Sequence, residues 1–312
     1  MSEKILLVGA GPIAQEYAKV LQALHAPLIV VGRGKESAKK FFANTGFQAE
    51  IGGVKLWLQK NNPPAKAIIA VGEKELGETA RLLIQSGVKE ILVEKPGGFI
   101  ADDIRKVGKL SGEKKAKVYI AYNRRFYSSV QKAIEIINEN GGALSFHFEF
   151  TEWIHKIPAT KKTAGIIHEW FLANSTHVID LAFFLCGKPK KLTGYALAGF
   201  PWHNGSSIFT GAGVTEKNAL FSYHANWESA GRWGIEILTA KNRLYLRPLE
   251  KLSIQNIEEI DTANVIIDDT LDIKFKPGYY LQVKSFLEDK KNLPDIQEQI
   301  HMLAWYEKIN QA

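Results

Sequence analysis

The stretch Leu6–Leu21, LLVGAGPIAQEYAKVL, decides the fold. An apolar run stops at Gly9, a turn carries Gly9 and Gly11, and Pro12 opens a segment with apolar residues at helical spacing. Gly9, Gly11 and Ala14 form a G-x-G-x-x-A pattern between a strand and a helix, the context that gives this short motif meaning. Gly9 permits the tight turn, Gly11 lets the backbone approach a ligand, and Ala14 is small enough for helix and strand to pack closely. Pro12 suits the first helical turn, where its missing N–H costs nothing. The helix start then offers N–H groups and the positive end of a dipole to an anion such as a pyrophosphate. The plain alternative is a glycine-rich turn in an α/β protein without a cofactor.

The pattern continues outward from this turn. Apolar runs at 4–10, 27–32, 67–72, 90–95 and 117–122 alternate with helical segments, several of which end in Gly. Such alternation predicts βαβ units and a doubly wound parallel sheet, and unbroken apolar strands suit a sheet covered on both faces. Residues 124–139 read as one helix. From 144 onward, half-polar strands such as LSFHFEF and ALFSYHANW predict an open, mostly antiparallel sheet, interrupted by a long helix over about 168–186. Two helices, near 278–289 and 295–309, close the chain. The expected organisation is an N-terminal Rossmann domain over 1–122 and a C-terminal α/β domain over 123–312. The last helices are able to pack back on the first domain.

A dinucleotide-binding unit specific for NAD carries an acid at the end of its second strand, where it binds the ribose 2′-hydroxyl. Here that strand ends IVVGRGKES (29–37), with Gly32 making room and Arg33 and Lys35 supplying positive charge. An arginine at this place accommodates a 2′-phosphate, so the expected cofactor is NADP(H) in preference to NAD(H). The plain reading of Arg33 is a solvated loop residue.

The totals agree with this outline. A chain of 312 residues is long for one small core and suits two domains, and 46% apolar and 23% charged residues are ordinary for a soluble globular protein. No apolar run approaches a membrane span. MSEKILLVGAG runs straight into a strand without the pattern of a secretion signal. The single Cys186 forms no internal disulfide, which fits a cytoplasmic protein. The net charge of +7 invites a nucleic-acid reading, but Lys and Arg are scattered among acids and no nucleic-acid motif occurs. A preference for anionic small molecules explains the charge as well.

The fourth run ends in Glu94-Lys95, followed by Pro96; the fifth leads into AYNRRF at 121–126; later come STHVIDLAFFLCG at 175–187 and GYYLQVKSFL at 278–287. In this order and spacing, with the first turn, they resemble the glucose–fructose oxidoreductase / inositol dehydrogenase / MocA family of NAD(P)-dependent oxidoreductases. The resemblance implies hydride transfer at a carbinol or ketone carbon of a sugar, cyclitol or sugar derivative, and the basic charge favours an anionic one, phosphorylated or nucleotide-linked. It also implies a homodimer or homotetramer built through the C-terminal sheet. Lys95 would lie at the nicotinamide ribose and substrate, and His177 would be the histidine of the later helix. The implied cofactor contacts are Gly9, Gly11, Pro12, Ile13, Ala14, Arg33, Val71, Glu94, Lys95 and Pro96. Two departures stand out: the acid usual one turn before the histidine is replaced by Ala173, with Asn174 the nearest polar residue, and VGEKEL at 71–76 lacks the usual Pro and His.

Alcohol oxidation needs a hydride acceptor and a base for the hydroxyl proton. Histidine titrates near neutrality, and a lysine ammonium stabilises developing alkoxide. His177 and Lys95 are therefore the candidate catalytic pair, and Asn174 and Asp180 flank His177 at helical spacing. The plain readings are a core histidine and a solvated lysine, although Pro96 restricts the backbone beside the latter. Tyr122, Arg124, Arg125 and Asn174 are candidate substrate contacts. The loop holding His155, Lys156, Lys161, Lys162 and His168 reads equally as a phosphate-binding lid, an interface or plain surface. No histidine spacing suggests a metal site, and Ser128-Ser129 lacks the setting of a nucleophile elbow. Rival readings are an enzyme that uses a bound nicotinamide transiently for elimination or hydrolysis, and a non-catalytic dinucleotide-binding regulator.

Overall fold

The computed structural model describes residues 4–157, 165–198 and 205–311. Two compact units emerge: residues up to Asn123 with Lys274–Met302, and Arg124–Ile273 with residues from Leu303 onward.

The first unit contains β1 (Ile5–Val8), α1 (Pro12–Ala23), β2 (Leu28–Val31), α2 (Lys35–Thr45), β3 (Ala49–Glu50) and α3 (Gly53–Leu58). It continues through β4 (Lys66–Ile69), α4 (Leu76–Gln85), β5 (Glu90–Glu94), α5 (Ala101–Lys114) and β6 (Lys117–Ala121). All six strands are parallel, in the order β3-β2-β1-β4-β5-β6. This is the doubly wound order with its switch point between β1 and β4, where the strand ends leave a crevice. β1 and the middle of β5 are buried throughout, as unbroken apolar strands require when helices cover both faces. β3 lacks an apolar run; its two residues join the sheet because Gly32 N–H donates to Glu50 O at 2.8 Å.

The second unit contains α6 (Ser128–Glu139), β7 (Ser145–Glu149), α7 (Thr176–Cys186), β8 (Pro189–Ala198), β9 (Ser206–Thr215) and β10 (Leu220–Asn226). It ends its sheet with β11 (Gly234–Leu238), β12 (Asn242–Leu246), β13 (Ser253–Asn256) and β14 (Ala263–Asn264). The eight-stranded order is β14-β13-β12-β11-β7-β10-β9-β8, and only β7 and β10 pair in parallel. Burial alternates strictly along β10, the mark of a sheet with one covered face. α7 is apolar almost all round and packs on that face through Phe183, whose ring meets Phe148 at 5.6 Å and Phe221 at 5.1 Å.

One long helix was expected over about 168–186. The chain forms instead a 3₁₀ turn at Ile166–Glu169, a π-helical turn at Phe171–Ser175, and then α7. The polar side chains explain the interruption: Thr176 Oγ1 turns back on Leu172 O at 2.8 Å, while Asn174 and Ser175 reach out to a carboxylate described below. Among the described residues, no helix is long and apolar enough to cross a membrane, and no group of three His, Cys, Asp or Glu side chains could hold a metal ion.

Candidate functional site

The first unit opens a cavity of about 680 Å³ at the carboxyl ends of β1, β2 and β4. Gly9, Gly11, Pro12, Ile13, Arg33 and Val71 all line it. Gly9 has φ +129°, and a Cβ there would stand 2.2 Å from Ala70 O, so only glycine lets β1 turn this close to β4. Ala14 lies behind the turn, fully buried. Gly11 caps α1 with extended backbone and no side-chain hydrogen bond, so the first-turn N–H groups remain for a ligand.

The lining fits a dinucleotide. No atom lies within 4 Å of where a Gly11 Cβ would be, so a side chain there would fill ligand space rather than meet protein. At the far end stand the cations Arg33 and Lys55, with Ser37 beside them. Lys35, expected as the second cation, is absent from the lining; Lys55 takes that place because Gly53 N–H bonds Gly32 O at 2.9 Å and draws the start of α3 to the turn after β2. Arg33 is largely exposed and pairs with Glu75, which also lines the cavity.

Glu94, Lys95 and Pro96 stand outside the lining of this cavity. The reason lies in Glu94. Its Oε1 accepts from Tyr17 Oη of α1 at 2.7 Å and from Tyr279 Oη at 3.1 Å, the two rings 4.9 Å apart. Burial, and then the Glu94 charge, push the Tyr17 phenol well above its usual pKa, so it stays a donor. Glu94 thus ties the end of β5 to α1, and Lys95 projects half-buried from that anchored turn. The Lys95–Pro96 bond is cis, and Pro96 O accepts from Gln299 Nε2 at 3.1 Å. Tyr122, expected at the substrate, is fully buried and its hydroxyl meets the same Gln299 amide at 3.2 Å; it braces the turn from inside the core.

In the second unit, Arg125 and Asp180 form a buried bidentate pair at 2.8 and 2.6 Å, 4% and 3% exposed. Arg125 is thus engaged with Asp180 rather than set out in solvent. Asp180 is engaged by the guanidinium, with Phe184 beneath it at 4.5 Å. Arg124 points differently, its guanidinium 4.5 Å from the centre of the Trp233 ring. His177 is 6% exposed, its ring 5.8 Å from that of Trp233.

The acid missing at position 173 has a counterpart from another element. Glu152, three residues beyond β7 and 2% exposed, accepts from Ser175 Oγ and Asn174 Nδ2, each at 2.8 Å. Asn174 is thereby fixed to Glu152. Arg232 approaches the same carboxylate at 3.8 Å. Local sequence does not single out Glu152, Arg232 or Trp233; the available signal was an acid three residues beyond a strand. Of the basic loop, His155 and Lys156 are exposed on the short turn Ile154–Lys156, while Lys161, Lys162 and the side chain of His168 lie outside the described residues.

Burial raises the Glu152 pKa above its ordinary 4.5, against the lowering by Ser175, Arg232 and Asn174. A carboxyl that binds its proton more tightly when folded contributes stability fully below the unfolded pKa, and loses it as pH rises through the folded value. Urea unfolding across a pH series should therefore show the wild-type advantage over Glu152→Gln shrinking as pH climbs from below about 4.5. A gap that widened with pH would contradict this assignment.

No protein-family model matches the sequence, and no curated protein matches it. Solved structures share the fold along nearly the whole chain. Levoglucosan dehydrogenase in complex with NADH superposes with a TM-score of 0.80 at 15% identity, covering 99% of this chain and 96% of that one. UDP-N-acetylglucosamine 3-dehydrogenase GnnA from Acidithiobacillus ferrooxidans gives 0.76 at 13%, with 99% and 97% covered. The WlbA dehydrogenase from Chromobacterium violaceum, in complex with NADH and UDP-GlcNAcA, gives 0.73 at 16%, with 99% and 94% covered. At these identities the likeness is one of fold.

Proposed function

We propose that the protein is a nicotinamide-dependent oxidoreductase that prefers NADP(H) and acts on a carbinol or ketone carbon of a sugar or sugar derivative. The observation that carries this reading is the glycine turn whose uncapped helix opens on a cavity of dinucleotide size. The structural neighbours agree with it: two are named as dehydrogenases of levoglucosan and of UDP-N-acetylglucosamine, the third is a dehydrogenase described with UDP-GlcNAcA, and two are described with NADH. The preference for NADP(H) rests on Arg33 and Lys55 in the cavity, with no acid at the end of β2. In this reading Arg33 exchanges Glu75 for the 2′-phosphate, a charge-assisted contact of the kind arginine makes best.

The cofactor supplies the hydride chemistry when bound. Gly9, Gly11 and the start of α1 hold its pyrophosphate; Ile13 and Val71 give apolar contact. Lys95 donates to the carbinol oxygen and stabilises alkoxide character, and His177 exchanges the hydroxyl proton. Reduced-nicotinamide absorbance over a panel of sugars, sugar acids and nucleotide sugars tests the reading. It predicts turnover with at least one hydroxylated substrate and faster turnover with the 2′-phosphorylated cofactor. Cofactor binding with no turnover across the panel would overturn it in favour of a non-catalytic role.

A further inference from the structure

We propose that the second unit carries a subsite for an anionic group, a carboxylate or phosphate on a hydroxylated carbon skeleton, read by Arg232 and Arg124 around Trp233. As a statement about substrate it rests on the oxidoreductase reading; as a statement about binding it stands on the following geometry.

β7 and β11 pair antiparallel with Gly234 opposite Glu149, so the residues leaving β7 lie beside those entering β11. Trp153 Nε1 donates to Gly231 O at 2.6 Å. Gly231 has φ +152°, and a Cβ there would sit 2.4 Å from Glu149 Oε1 and 3.0 Å from Thr151 Cγ2, so glycine is needed for this approach. The result sets the Arg232 guanidinium 4.5 Å from the Trp233 ring centre and 5.0 Å from that of Trp153. Arg124 meets the same Trp233 ring at 4.5 Å. Two guanidinium groups thus share one indole, and the His177 ring lies 5.8 Å from it.

Contact with an indole face engages the flat surface of a guanidinium and leaves its N–H edge to bind. The Arg232 side chain is 43% exposed, and its carboxylate neighbour, Glu152, stands at 3.8 Å, beyond hydrogen-bond range. Among the described residues, Arg232 meets no acceptor within that range. Glu152 is held by Asn174 and Ser175, so it steadies Arg232 by charge without consuming its donors. Trp233 is 4% exposed, and its Nε1–H has no acceptor among the described residues. A buried donor of this kind is costly until an oxygen meets it. Two cations and an unmet N–H donor on one ring ask for an oxyanion, which a guanidinium edge takes in two parallel bonds.

Calorimetric titration of the full chain with gluconate, glucose 6-phosphate and glucose tests this, on wild type, Arg232→Gln and Trp233→Phe. At least one charged ligand should bind wild type more tightly than glucose does, and the tighter of the two identifies carboxylate or phosphate as the group read. Arg232→Gln should weaken that ligand about 10- to 100-fold and leave glucose unchanged. Trp233→Phe, which keeps an aromatic ring, should weaken it several-fold. Should Arg232→Gln not fold, Arg232→Lys serves, retaining charge but losing the fork and part of the affinity. Equal binding of all three ligands, no binding of any, or unaltered affinity in both folded variants would overturn the subsite. NADPH titration of the same samples reads the cofactor assignment separately. NADPH binding without an anion preference sinks only the subsite, and the reverse result sinks only the cofactor assignment.

Discussion

Arg125→Ala is expected to cost about 3–5 kcal/mol of folding free energy, the range for removing one partner of a buried ion pair. Arg125 and Asp180 are almost wholly shielded from water and meet through two hydrogen bonds of 2.8 and 2.6 Å. Removing the guanidinium takes the bidentate partner from the Asp180 carboxylate, on a helix buried nearly all round. The attraction lost is secondary; the cost of keeping a buried charge without its cation dominates. Arg125→Met combined with Asp180→Leu should accordingly be milder than Arg125→Ala alone, because no charge is left buried. Urea unfolding reads both. A loss below about 1 kcal/mol for the single change would show that solvent reaches the pair.

Lys95→Met is expected to lower kcat by about 10²–10³, the scale for one donor aimed at a developing oxyanion. The structure gives Lys95 an anchored base: Glu94 is held by Tyr17 and Tyr279, and Pro96 O by Gln299. Methionine keeps an unbranched apolar stem, one atom shorter, and removes the charge and the donors. Because Lys95 stands outside the lining of the cavity, NADPH affinity should move less than about tenfold, far less than kcat. Turnover unchanged from wild type, measured per folded molecule, would remove Lys95 from the chemistry and leave its turn a purely structural feature.

The parts of the fold legible in the sequence were the local ones. The turn from Gly9 to Ala14 is specified by glycine conformation, the proline at the helix start and the flanking apolar runs, all within a few residues. The alternation along β10 likewise reads directly as one covered face. β3 was hidden because two residues make no pattern; it exists through its pairing with β2. The π-helical turn was hidden because Asn174 and Ser175 depart from the α-helix toward Glu152, 22 and 23 residues earlier. Arg125 was a candidate substrate contact, and its burial was hidden because its partner Asp180 lies 55 residues away. The cluster of Trp153, Arg232 and Trp233 depends on the register of β7 against β11, which no local pattern encodes. Lys55 replaced Lys35 in the cavity for the same kind of reason, a hydrogen bond between two turns.

The central claim is that the cavity of the first unit holds a nicotinamide dinucleotide with a 2′-phosphate. Fluorescence titration with NADPH and NADH, on wild type and Arg33→Ala, tests it most directly. The account predicts tighter binding of NADPH than of NADH by about tenfold or more, with Arg33→Ala erasing most of the difference by weakening NADPH alone. Tighter binding of NADH, or no binding of either, would contradict it.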